Sequence, residues 1–128
     1  MSIQDLCQAY LAALNKADLS KVLSLFAEGA TVTSPLYGVC PAVDFYQNLF
    51  ADTDRSETRL KAVFEEVGLG QSVALQFEYD WVLKSGQLVR FECVDVFELT
   101  QDKERFAGLK IIYDTAPLRA DFDESRRG

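Results

Sequence analysis

From residue 72 to residue 99 the chain alternates apolar side chains with mostly polar ones. Val73, Leu75, Phe77, Tyr79, Trp81 and Leu83 form one series; Val89, Phe91, Cys93, Asp95, Phe97 and Leu99 form a second. Successive side chains of a strand point to opposite faces, so each series lies on one face of one strand. Lys84-Ser85-Gly86-Gln87 between them reads as a hairpin turn. Two such strands side by side make a sheet with one apolar face, which other elements must cover. Asp95 breaks the pattern by standing on that face. An ionised carboxylate buried there would cost on the order of several kcal/mol, so it must be paired, hydrogen-bonded or protonated.

The covering elements come from the first half of the chain. Ser2 and Asp5 form a capping box, and Ile3, Leu6, Cys7, Tyr10, Leu11 and Leu14 repeat at the spacing of one helical face. Asn15 and Lys16 end that helix. Asp18 caps a second, with Leu19, Val22, Leu23 and Phe26 on its buried side, broken at Glu28-Gly29. Ala30 to Thr33 is a short β-prone piece stopped by Ser34-Pro35 and Gly38. Pro41 suits the first turn of a third helix burying Phe45, Tyr46 and Leu49. Ala51 to Glu57 reads as a polar linker, Thr58 to Val67 as a strand ended by Gly68 and Gly70, and Arg105 to Tyr113 as the last strand. The pattern predicts three helices and then a four-stranded antiparallel meander, an α+β order with a cavity where helices close one end of the sheet. Residues 1–116 make the domain; 117–128 read as a polar tail, frayed at Arg126-Arg127-Gly128.

Composition narrows the chemistry. The 128 residues carry a net charge of -7, which argues against nucleic acid or an anionic membrane as partner. No apolar run approaches the roughly 20 residues of a membrane span, and the N-terminus lacks a signal-peptide pattern. Cys7, Cys40 and Cys93 form no metal-binding or redox pair and read as thiols in a reducing cytoplasm. There is no histidine, which excludes Ser-His and Cys-His nucleophile pairs and weighs against zinc. Acid–base work falls to carboxylates, tyrosines and lysines. Glu78, Asp80, Asp44 and Asp114 read as solvated charges, and the pair Glu65-Glu66 is a weak base candidate, since adjacent strand residues face opposite ways.

Tyr10 lies on the apolar face of the first helix and needs a partner for its hydroxyl, which a backbone carbonyl or Tyr46 could supply. A phenol and a protonated carboxyl aimed into one apolar cavity form a donor pair for a developing oxyanion. Further stretches carry a likeness: Gln8-Ala9-Tyr10-Leu11-Ala12-Ala13-Leu14-Asn15, Ala17-Asp18-Leu19, Leu25-Phe26-Ala27 and Ala30-Thr31-Val32, then Pro35 and Gly38. Phe45-Tyr46, Phe77-Glu78-Tyr79 and Val94-Asp95-Val96-Phe97 continue it. Over about residues 3–114 the chain resembles the SnoaL-like and ketosteroid isomerase-like proteins of the NTF2-like superfamily.

The resemblance implies an NTF2-like (cystatin-like) cone, N-terminal helices packed on a curved, mostly antiparallel sheet. It implies oxyanion-hole roles for Tyr10 and Asp95, with Tyr46 as the tyrosine bonded to the first. Where the isomerases carry a basic aspartate before the loop proline, this chain has Ser34, whose hydroxyl has no useful basicity near neutral pH. Ser34, Tyr37, Phe77, Tyr79, Trp81, Cys93 and Phe97 are the expected pocket wall. No cofactor and no metal are expected. Three readings follow: a cofactor-independent isomerase, cyclase or dehydratase on an apolar carbonyl compound; a non-catalytic binder of an apolar small molecule; and a sheet-mediated homodimeric module with its cavity packed shut.

Overall fold

The two alternating stretches are neighbouring antiparallel strands in the computed structural model, with Leu75 opposite Asp95 and Phe77 opposite Cys93. Residues 1–127 are described. The chain runs α1 (Ile3–Asn15), α2 (Leu19–Ser24), β1 (Phe26–Ser34), β2 (Gly38–Pro41), α3 (Ala42–Ala51), β3 (Thr53–Glu65), β4 (Ser72–Leu83), β5 (Leu88–Leu99), β6 (Phe106–Ile112) and α4 (Arg119–Arg127). The six strands form one sheet in the order β2-β1-β6-β5-β4-β3. The expected meander is its larger part, and β1 joins the far side of β6 in parallel. The result is an α+β cone, with a curved, open mixed sheet and helices over one face.

The sequence signals act where they stand. Ser2 Oγ accepts the Asp5 amide at 3.0 Å and Asp5 Oδ2 accepts the Ser2 amide at 3.3 Å, completing the box at the start of α1. Leu6, Cys7, Tyr10, Leu11 and Leu14 are buried from that helix. In the turn after β4, Gly86 takes a φ of 92°, a left-handed conformation suited to glycine, and its amide donates to Leu83 O.

Four expectations are corrected. The second helix stops at Ser24, because Phe26 enters a strand that bridges to Phe106, eighty residues on. β1 therefore begins before Ala30, and a short β2 turns back against it, pairing Val32 with Cys40. The polar linker 51–57 is largely strand: β3 starts at Thr53 and pairs along the whole length of β4, with Thr53 opposite Leu83 and Glu65 opposite Val73. Long-range pairing supplies backbone partners that local polarity does not reveal. The polar tail is also misread. Its residues 119–127 form α4, which buries Phe122 next to Leu118, one turn earlier. Arg126 and Arg127 end that helix, while the expected fraying of Gly128 falls outside the described residues.

Candidate functional site

The apolar face of β4 and β5 and the helices above it enclose a small cavity. Phe77, Tyr79 and Trp81 line it from β4, and Phe91, Cys93 and Asp95 from β5. Tyr10 and Leu14 of α1 and Phe45 and Leu49 of α3 close the opposite side. Ser34, Tyr37, Ile111 and Tyr113 complete the lining. The period of two delivers the wall: alternate residues from 77 to 81 and from 91 to 95 all point inward. Its free volume is about 30 Å³.

Asp95 is 2 % exposed. Its Oδ1 accepts the Cys93 thiol at 3.0 Å, a contact set by two residues on the same strand face. Burial pushes the Asp95 carboxyl up to about 7, partly offset by the hydrogen-bonding of Cys93 and, more weakly, of Tyr10. Behind the cavity lining, the hydroxyl of Tyr46 lies 2.8 Å from that of Tyr10. When Tyr46 donates, the Tyr10 proton is free for the cavity. Burial holds both phenols well above their ordinary range, and the nearby Asp95 adds to it, so both remain O–H donors at neutral pH. Cys93 is likewise kept a thiol by burial and by Asp95.

The wall has its own polar anchors. Trp81 Nε1 donates to Thr53 Oγ1 at 2.7 Å, and Thr53 donates onward to Leu49 O. Tyr79 and Ser56 share a hydroxyl–hydroxyl bond of 3.1 Å. Tyr37 OH donates to Asp52 Oδ2 at 2.6 Å. Ser34 lies in the wall, but its Oγ accepts the amides of Leu36 and Tyr37 at 3.2 and 3.3 Å, which ties it to the turn after β1.

Eight of the ten residues singled out in the sequence thus line one cavity. Tyr46 stands one layer behind, reaching the cavity through Tyr10. Phe97 is a correction: it is fully buried away from the cavity, stacked on Phe106 at 3.9 Å and edge-on to Tyr10 at 5.0 Å. Two residues beyond Asp95, the strand has run under the aromatic cluster of Phe26 and Phe106. Phe91, Ile111 and Tyr113 are lining residues that sequence reasoning passed over. Phe91 was legible, since it shares the Asp95 face. The expected surface carboxylates lie outside the cavity; Asp80 pairs with Arg59 at 3.0 Å and Arg90 at 3.5 Å on the outer face. Among the described residues no three His, Cys, Asp or Glu side chains converge on a metal-binding point.

Chemically, the floor offers a phenol and a carboxyl that changes protonation near neutral pH, inside apolar walls. Such a carboxyl donates when protonated and accepts when ionised.

Comparison with known proteins agrees with this fold. A protein from Catenulispora acidiphila with a ketosteroid isomerase-like fold, in complex with trimethylamine, superposes with a TM-score of 0.79 at 12 % identity, covering 95 % of each chain. AclR, a proposed hydroxylase from Streptomyces galilaeus, gives 0.74 at 18 % identity over 94 % of this chain and 80 % of its own. A proposed aromatic ring hydroxylase from Novosphingobium aromaticivorans gives 0.71 at 20 % identity over 87 % and 85 %. At these identities the likeness establishes the fold alone. No curated protein matches the sequence. Residues 7–106, most of the chain, match the SnoaL-like domain. With that match and an NTF2-like cone, the chain belongs to the SnoaL-like family.

Proposed function

We propose that this protein binds an apolar carbonyl or phenolic compound in the cavity between α1, α3 and the sheet, gripping its oxygen with Tyr10 and Asp95. The observation that carries the reading is the Tyr10 hydroxyl, bonded to that of Tyr46 behind it, and the buried Asp95 carboxyl in the lining of one largely apolar cavity. Two donors converging on one oxygen stabilise negative charge developing there, which is what an isomerase, cyclase or dehydratase of a carbonyl compound requires. Asp95, with its acidity near neutral, is also matched to giving and taking a proton. The aromatic ring hydroxylase description of one fold neighbour is compatible with a cyclic substrate.

A non-catalytic binder is the second reading, favoured by Ser34. Its hydroxyl already serves two backbone amides and has no basicity to lend. The proposal takes the protein to be cytoplasmic, without nucleic acid or membrane as partner, and homodimeric through the outer sheet face. Its net charge of -7 supports the lack of a nucleic-acid or anionic-membrane partner.

The test is titration of 4-nitrophenol, followed by its absorbance, against the protein and its Tyr10→Phe and Asp95→Asn variants. Loss of the Tyr10 donor, or exchange of the Asp95 carboxyl for a weaker amide donor, should weaken phenolate binding by about tenfold or more. Phenolate affinity equal in all three proteins would refute the assignment.

A further inference from the structure

The cavity holds about 30 Å³, against the roughly 150 Å³ that accommodates a benzene. A ligand of the proposed class enters only if part of the wall moves. α4 stands over that wall. Phe122, 3 % exposed, sets its ring 5.7 Å from Trp81 and 5.6 Å edge-on from Tyr37, both cavity residues.

The hold on α4 is shallow. Phe122 is its only buried side chain, with Leu118 just before it. Its polar attachments are few: Ser125 Oγ accepts the Ser85 amide at 3.1 Å, Arg119 reaches Pro35 O at 3.4 Å, and Arg126 approaches Asp52 at 3.7 Å. The same Arg126 guanidinium lies 5.5 Å from the Phe122 ring and 5.9 Å from the Tyr37 ring. Asp52 also accepts the Tyr37 hydroxyl, so Arg126 latches the helix to a residue that braces the cavity wall. A helix of nine residues is below the roughly 12–15 at which isolated helices persist, so α4 depends on docking for its order. It also lies outside the 7–106 stretch that matches the family domain.

We propose that α4 is a cover that lifts to admit ligand, and that Phe122 is the size-determining residue of the site, competing with the ligand for the aromatic faces of Trp81 and Tyr37. The ligand part rests on the reading given under the proposed function. The undocking part does not, and it can be measured without any ligand.

Trp81 is the only tryptophan, so acrylamide quenching of its fluorescence reports lifting directly. Arg126→Ala keeps Phe122 in place and weakens only the latch. It should raise the quenching constant of the free protein, and raise the association rate and affinity for 4-nitrophenol together, by about threefold. In Phe122→Ala, the affinity for 2-naphthol relative to 4-nitrophenol should rise by about tenfold, because the second ring fills the vacated space. A folded Arg126→Ala with quenching and association rate equal to those of the native protein would overturn the cover. An unchanged naphthol preference in a folded Phe122→Ala would overturn the size-determining role. Failure of every variant and of the native protein to bind either phenol would overturn the ligand reading and with it size selection, while quenching still decides whether α4 lifts.

Discussion

Replacing Asp95 by Asn isolates the cost of burying one ionisable carboxyl. The folded protein raises that carboxyl from 3.8 to about 7, with burial as the main cause. The native fold therefore holds a proton that the unfolded chain has already released, and stability falls as pH rises. The contribution is full below 3.8, declines above it, and is gone above about 7. A shift of about three units corresponds to about 4 kcal/mol in all, of which about 2 kcal/mol falls between roughly pH 5.5 and 8. Asn has nearly the same shape, can accept the Cys93 thiol at its amide oxygen, and does not titrate. Urea unfolding of both proteins at those two pH values, above the pI of 4.5, gives the difference directly. Other titrating groups cancel in the comparison. Asn should gain on Asp by about 2 kcal/mol between the two conditions. A difference independent of pH, or one that shrinks at pH 8, would refute the claim that burial governs this carboxyl.

Tyr46→Phe leaves the Tyr10 hydroxyl without its partner and should cost about 1–3 kcal/mol of stability by urea unfolding, with a parallel loss of 4-nitrophenol affinity. Thr53→Val strips the acceptor from the Trp81 indole and should cost a similar amount, about 1–3 kcal/mol, and shift the Trp81 emission. Ser34→Asp should fold, since a carboxylate oxygen can accept the Leu36 and Tyr37 amides as the serine does. It should also increase isomerisation of a β,γ-unsaturated ketone, read as the absorbance of the conjugated product. No gain in a variant that still binds 4-nitrophenol would show that position 34 does not reach the α-carbon.

Much of the fold is legible locally because its signals are periodic. The alternation in β4 and β5 and the helical stripe of α1 each name a buried face, and the strand register then places Cys93, Asp95 and Phe91 on one wall. The elements that sequence missed all owe their structure to distant partners. β3 begins inside a polar stretch because β4 offers it a ladder. β1 takes Phe26 from the end of a helix because β6 lies alongside. α4 carries a single phenylalanine in a charged segment, and that signal is too weak to predict docking until Trp81 and Tyr37 stand next to it.

The sequence by itself determined which residues are apolar, at what spacing, and that one carboxylate stands among them without a histidine in reach. That was enough for an α+β order with Tyr10 and Asp95 on buried faces; the cone, and the grouping of Tyr46 with them, came from the resemblance to the SnoaL-like and ketosteroid isomerase-like proteins. Tertiary structure alone decided the rest: that Tyr46 stands behind the cavity lining, that Phe97 belongs to the core, that Ser34 is spent on its own turn, and how little room remains between the walls. These depend on where chain segments far apart in sequence meet. Periodicity fixes the direction of a side chain from its own backbone, but not which distant atoms occupy the space in front of it.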